Sequence, residues 1–286
     1  MKLFVITGRS GSGKSTVLHA LEDEGFNCID NFPASLLERY VEETTNDQVT
    51  QGFAVSIDAR SPPSALSQLP EILQALVGDD ITPRVIYLDA SGPVLVKRFS
   101  ETRRRHPLEK NETDLRQAID LETRLLQHLA ERADLKIDTT QLSGHDLVQI
   151  AKERLVDVDE RSVSLLFRSF AYRHGVPVDA DFVFDLRCLP NPHWDAELRE
   201  LTGFDEPVKA FFAKHEVVNH MFQQIVGFLH EWLPQFERQN RVYMTVATGC
   251  TGGRHRSVYM AERLAHAFRD SYPNVLVRHR EQDGSS

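Results

Sequence analysis

The sequence predicts an α/β protein built as two units: a mostly parallel sheet covered by helices, then a second, smaller α/β domain. Three observations carry this. Short apolar runs alternate with stretches of helical apolar spacing along most of the chain. The length, 286 residues, suits about two domains. A charged break over residues 156–161 (Asp157, Asp159, Glu160, Arg161) interrupts the alternation, which restarts beyond it. The expected domains are residues 1–155 and 160–286.

Leu3–Thr7 is an apolar run closed by Gly8, the pattern of a strand buried on both faces. Lys14–Glu24 repeats Val17, Leu18 and Leu21 at helical spacing. Asn27–Asp30 reads as a second strand. Pro33 then opens a helix reaching Val41, since proline suits a first helical turn. Phe53–Ile57 and Val85–Leu88 are further strands, with a helix over Ala65–Val77 between them. Val94–Arg105 and Asp114–Arg132 are helical and rich in arginine. Lys136–Thr139 is a fifth strand, and Ser143 is suited to cap a helix over His145–Leu155. In the second half Val163–Phe170 and Phe182–Leu186 are strands, and the two prolines within Leu189–Trp194 make a loop. Val208–Leu233 is one long helix or a helix pair. Val242–Ala247 is a strand, Arg256–Phe268 a helix and Val275–Val277 the last strand.

Hydrophobic residues make up 41% and charged residues 26%, which excludes collagen-like, disordered and coiled-coil classes. No apolar run approaches the length of a membrane span. Gly8, Arg9 and Lys14 interrupt the brief apolar start, so a cytoplasmic protein is expected rather than an exported one. Three scattered cysteines, Cys28, Cys188 and Cys250, without a CxxC, suit reduced thiols. The net charge of -9 argues against non-specific wrapping of nucleic acid. That average conceals residues 241–280, where seven arginines face only Glu262 and Asp270.

Gly8-Arg9-Ser10-Gly11-Ser12-Gly13-Lys14-Ser15 matches G-x-x-x-x-G-K-[ST]. Glycines let the backbone curl so that successive N–H groups converge on phosphate oxygens. The following helix adds its positive N-terminal end. Lys14 reaches the outer phosphates of a nucleotide, and the Ser15 hydroxyl suits Mg²⁺. The strand before the motif and the helix after it supply the required context, so the first domain is expected to be P-loop kinase-like. A P-loop also needs an acid near the magnesium at the end of a neighbouring strand. Asp58 is favoured over Asp89, because Arg60 and Ser61 follow it. Asp30 ends the second strand and is placed for phosphates or an acceptor. Arg98, Arg103, Arg104 and Arg105 lie where small P-loop kinases carry a lid.

A second loop, Ala247–Ser257, follows a strand and opens a helix. Gly249, Gly252, Gly253, Thr248, Thr251, Arg254 and Arg256 converge there, a composition for an oxyanion such as a sugar phosphate. Asp185 and His193 end or follow a nearby strand and could join it. Cys250 and Arg256 also have the C-x5-R spacing of cysteine phosphatases, but Gly249 stands where that motif carries a histidine.

Taken together, the GRSGSGKS start, Asp30-Asn31-Phe32-Pro33, Asp58-Ala59-Arg60-Ser61, His174–Asp181, Leu189–Trp194 and Gly249–Val258 resemble the RapZ/YvcJ nucleotide-binding family over nearly the whole chain. The resemblance implies ATP at Gly8–Ser15, GTP at Asp58, Ala59, Arg60 and Ser61, and weak hydrolysis at most. It implies an amino-sugar phosphate, glucosamine-6-phosphate, at Asp185, His193, Thr251, Gly252, His255 and Arg256. It also implies an adapter that binds small regulatory RNA through Arg278, His279 and Arg280, presents it to an endoribonuclease, and assembles as a homotetramer. One departure stands out: the basic tail of the RNA-binding members is replaced here by Glu281-Gln282-Asp283-Gly284-Ser285-Ser286. Two other functions compete with the adapter: a small-molecule or protein kinase using Lys14, Asp30 and the lid arginines, and a phosphatase using Cys250.

Overall fold

A computed structural model describes residues 2–44, 51–78, 81–102, 105–109, 114–157 and 163–282. The chain forms two compact units, Met1–Asp157 and Val158–Ser286. Much of the expected break over 156–161 lies outside the described residues, as do Arg103, Arg104 and Asp283–Ser286.

In the first unit β1 (Lys2–Gly8), β2 (Asn27–Ile29), β3 (Gly52–Ser56), β4 (Thr82–Asp89) and β5 (Leu135–Asp138) make one parallel sheet of order β2-β3-β1-β4-β5. The central strand β1 carries the apolar run Leu3–Ile6 and is buried from Leu3 to Gly8, because a strand covered on both faces has no solvent side to show. Its helices are α1 (Lys14–Asp23), α2 (Leu37–Thr44), α3 (Pro63–Ala75), α4 (Gly92–Thr102), α5 (Leu115–Arg132) and α6 (Gly144–Ala151). The core joins Leu3, Val5, Phe53, Leu66 and Leu69 with Leu126 and Leu129 of α5. Each such burial stabilises by roughly 1.5–3 kcal/mol.

The differences from expectation have local causes. Pro33 opens only a 3-10 turn, Ala34–Leu36, and α2 follows it. β4 starts three residues before the expected Val85. β5 pairs with it only from Ile86, so its outer edge is open at Pro83, where a residue without an N–H is tolerated. Asp114 and Ser143 each cap a helix through a reciprocal box, with Gln117 and Asp146 respectively.

The second unit is also parallel, with order β7-β8-β6-β9. Its strands are β6 (Ser164–Ala171), β7 (Phe182–Asp185), β8 (Tyr243–Cys250) and β9 (Asn274–His279). The expected long helix is a pair, α7 (Glu206–Ala213) and α8 (Glu216–Glu237), separated by Lys214 and His215; α9 (Arg256–Phe268) completes the unit. Strand register brings Ala171 opposite Cys250, Asp185 opposite Gly249 and Ser169 opposite His279. The carboxyl ends of all four strands therefore meet at the end where the Ala247–Ser257 loop begins, the usual ligand end of such a sheet.

Candidate functional site

The first unit builds a phosphate loop between β1 and α1. Gly13 caps α1 with a left-handed φ of 106°, and a Cβ there would lie 2.5 Å from Leu147 Cδ2. Only glycine satisfies both constraints. Lys14 is almost fully buried. Its Nζ arches back to donate to the Gly8 carbonyl at 2.7 Å and the Arg9 carbonyl at 3.3 Å. It also lies 3.8 Å from Asp58 Oδ2. Burial pulls the Lys14 ammonium below its ordinary pKa, opposed chiefly by the Asp58 carboxylate.

Asp58 is 2% exposed. Arg60 folds back on it: Oδ1 accepts from the Arg60 backbone N–H and Nε at 3.0 Å, and Oδ2 from Nη2 at 2.7 Å. Burial alone would raise the Asp58 carboxyl. The Arg60 hydrogen bonds and the Lys14 charge outweigh it and hold the group below the usual carboxylate range.

A cavity of about 500 Å³ opens beside this cluster. Of the eight loop residues, Ser10, Gly11, Gly13, Lys14 and Ser15 line it, together with Asp30, Asp58, Arg60 and Arg105. Arg9 turns away, donating to Asp89 Oδ1 at 2.6 Å, so Asp89 holds Arg9 in place. Ala59 belongs to the hydrophobic core, and Ser61 closes a backbone turn onto the Asp58 carbonyl. The Ser15 hydroxyl donates to Asp30 Oδ2 at 3.4 Å, which gives that hydroxyl a carboxylate neighbour from β2. Arg98 donates to the Gly11 carbonyl at 2.9 Å and the Thr139 carbonyl at 2.6 Å, and so braces the loop. Of the four lid arginines Arg98 and Arg105 lie among the described residues, and both line the cavity.

Sequence reasoning missed the acid behind the loop. Ser10 donates from its N–H and hydroxyl to the buried Glu122 at 2.8 and 2.7 Å. One signal was present: Glu122 sits within the buried stripe of Ala118, Ile119, Leu126 and Leu129.

The second unit builds a cavity of about 460 Å³ at the Ala247–Ser257 loop. His193, Thr251, Gly252, His255 and Arg256 line it, as does Arg254 of the expected oxyanion loop, and Arg173 and Arg199 add positive charge that the sequence reading did not assign. Asp185 is not among the lining residues; its carboxylate is spent on Arg187, which donates at 2.7 and 3.0 Å. Those bonds, with the Arg187 and Arg256 charges, keep the Asp185 carboxyl below its ordinary range. Arg256 is 5% exposed and donates from Nη1 to the Arg187 and Leu189 carbonyls at 2.9 and 3.1 Å. Its Nε is buried with no hydrogen-bond partner among the described residues, an open donor at the start of α9. Burial pushes the His255 imidazole below its ordinary pKa, and its bond to the Leu198 carbonyl only partly offsets that.

Cys250 is buried with Sγ 3.2 Å from Ser257 Oγ. A Cβ on Gly249 would fall 2.4 Å from Phe170 Cζ, so no histidine fits before this cysteine.

The expected RNA residues are set into the fold. His279 is buried, with Nδ1 2.8 Å from Ser169 Oγ and Nε2 2.9 Å from Glu262 Oε1. Arg280 donates to the Gly175 and His174 carbonyls. Arg278 is half-buried on β9. Glu281 turns inward as well, accepting from the Ala171 N–H and meeting His174 Nδ1 at 2.6 Å. No described helix is long and apolar enough to cross a membrane.

A nucleotide-binding protein from Nitrosococcus oceani is 50% identical over 281 residues, covering 98% of this chain and 99% of its own. Another, from Pseudoalteromonas atlantica, is 51% identical over 282 residues, with 98% and 99% covered. Among solved structures, an unliganded sugar kinase from Janibacter sp. HTCC2649 aligns at 17% identity over 53% of this chain and 92% of its own, with a TM-score of 0.33. Residues 1–158 match the model of the RapZ-like N-terminal domain, and residues 163–283 that of the RapZ C-terminal domain. Between them these two models span nearly all of the sequence, and the chain belongs to the RapZ family.

Proposed function

We propose that the chain is a nucleotide-binding regulatory adapter with a separate phosphate-recognition site in each unit. The observation that carries the first site is the buried Lys14. Its ammonium lies over the loop carbonyls beside Asp58 and a cavity of about 500 Å³. The proposed ligand is ATP or GTP; the relatives are named nucleotide-binding proteins without saying which nucleotide. The oxygen donors Ser15, Asp58 and Asp30 suit a hard cation, so magnesium would be held there with the nucleotide. Bound Mg²⁺ would supply charge neutralisation on the phosphates. Lys14 would hold the outer phosphates, and Arg60 would keep Asp58 ionised and oriented.

The second site takes an amino-sugar phosphate. Four arginines, the helix start and the open Arg256 donor favour an anion of that size. Small regulatory RNA and an endoribonuclease are the proposed partners, with a homotetramer as the assembly. Phosphatase chemistry is disfavoured by the crowding at Gly249 and by Arg256 being tied to two carbonyls. A kinase reading is favoured by one observation: the first cavity extends to Asp30, a carboxylate able to face an acceptor hydroxyl. Calorimetric titration of magnesium with ATP and with GTP tests the first site, and titration of glucosamine-6-phosphate the second. Transfer of labelled γ-phosphate to an added acceptor would favour the kinase instead.

A further inference from the structure

Glu122 on α5 and the ring of His106 are both fully buried. The carboxylate has three donors. Oε2 accepts from the Ser10 N–H at 2.8 Å, Oε1 from the Ser10 hydroxyl at 2.7 Å, and His106 Nε2 lies 3.0 Å from Oε2. His106 Nδ1 accepts from the Leu108 N–H at 3.2 Å, so Nε2 carries the ring proton and donates it to Glu122. The ring also packs on Phe99 of α4, with centroids 5.1 Å apart. Two of the three donors thus come from the phosphate loop. The third comes from residues 105–109, the segment that brings Arg105 and Pro107 to the cavity.

A buried carboxylate is costly unless its oxygens are satisfied, and an apolar side chain would fill this space without that cost. The acid therefore needs a use, and its bonds show one. We propose that Glu122 is a positioning residue that joins the phosphate loop and the 105–109 segment into one unit, so that a nucleotide on the loop also orders the segment across the cavity. The inference rests on the nucleotide reading of the loop for its ligand; the linkage through Glu122 exists without one. The chemistry makes it specific to a carboxylate. Glu122→Gln keeps the shape but takes the charge from all three bonds, and its NH₂ fits only against the Ser10 hydroxyl, which must then accept instead of donating.

The test uses the full chain. Hydrogen exchange is followed at residues 8–13 and 105–109, with and without magnesium and ATP, alongside the calorimetric affinity for ATP. In the wild type ATP is expected to slow exchange in both segments. In Glu122→Gln affinity is expected to fall about tenfold, as for loss of a charge-assisted bond. In Glu122→Gln and His106→Ala, ATP no longer slows exchange at 105–109. Wild-type protection of that segment in Glu122→Gln would overturn the proposal. If the wild type binds no nucleotide, the nucleotide reading fails by itself. The linkage is then read in the free protein, where His106→Ala must speed exchange at residues 8–13, and an unchanged rate overturns it. Should Glu122→Gln not fold, Ser10→Ala and His106→Ala, alone and combined, replace it. Coupling through Glu122 makes their effects on affinity non-additive, and strict additivity overturns the proposal.

Discussion

Lys14 and Asp58 occupy one buried corner of the first unit, Nζ 3.8 Å from Oδ2, although their chain positions lie on different strand–helix connections. The pair exists because β1 and β3 are neighbours in register, so the residues just after each strand converge. Burial costs both charges, and Arg60 is what makes the acid tolerable there.

Removing that acid should leave Lys14 buried without its main counter-charge. Asp58→Asn is expected to cost roughly 3 kcal/mol at pH 7, measured by denaturant unfolding. The pH dependence has a definite sign. The folded Asp58 carboxyl lies below its unfolded value of about 3.9, so its stabilisation is present above that value and is lost as pH falls through the folded one. Asp58→Asn should therefore flatten the acid limb below about pH 4. An unchanged acid limb contradicts the assignment.

At the alkaline end the folded Lys14 lies below 10.5, so the unfolded chain binds more protons between the folded value and 10.5. Lys14 thus contributes stability that rises with pH through that window. Lys14→Met should remove the rise, read from unfolding curves taken across the same window.

Gly249 lies in a fully buried strand against two rings, with a built Cβ 2.4 Å from Phe170 and 2.6 Å from Tyr172. Gly249→Ala is expected to destabilise by about 1–3 kcal/mol through overpacking, seen as a lowered Tm. Wild-type stability would mean that the ring packing is looser than described.

Arg256→Lys keeps the charge but loses the planar guanidinium whose Nη1 donates to both the Arg187 and Leu189 carbonyls while Nε stays open. Affinity for glucosamine-6-phosphate should fall at least about tenfold by calorimetry. Wild-type hydrolysis of p-nitrophenyl phosphate that disappears in Cys250→Ser would reinstate the phosphatase.

If RNA binds along β9, a gel shift should weaken with salt and weaken further in Arg278→Ala, with the salt slope falling by about one. His279→Ala should instead lower stability, since its ring is buried between Ser169 and Glu262. No shift at low salt contradicts the RNA proposal.

The phosphate loop was legible because its signal is local: a strand, glycines, Lys14 and a helix within fifteen residues. The capping residues Asp114 and Ser143 are local in the same way. Glu122 was not legible, since it meets Ser10 across 112 positions and only the fold brings them together. One local pattern was overlooked. Asp58-Ala59-Arg60 and Asp185-Leu186-Arg187 each end a strand in an Asp-x-Arg whose guanidinium folds back on the carboxylate two residues earlier. Read in advance, that repeat would have shown Asp185 to be engaged within its own turn. Glu281 shows the same limit: it counts as a free acid in a charge sum but is paired with His174 in the fold.

The central claim is that the Gly8–Ser15 loop binds a nucleotide through Lys14. Calorimetric titration of magnesium and ATP into the wild type and Lys14→Met tests it most directly. The account predicts saturable one-site binding in the wild type and a loss of at least about a hundredfold in Lys14→Met, as for a charged group bonded to phosphate in a buried site. Equal affinity in the two proteins would contradict it.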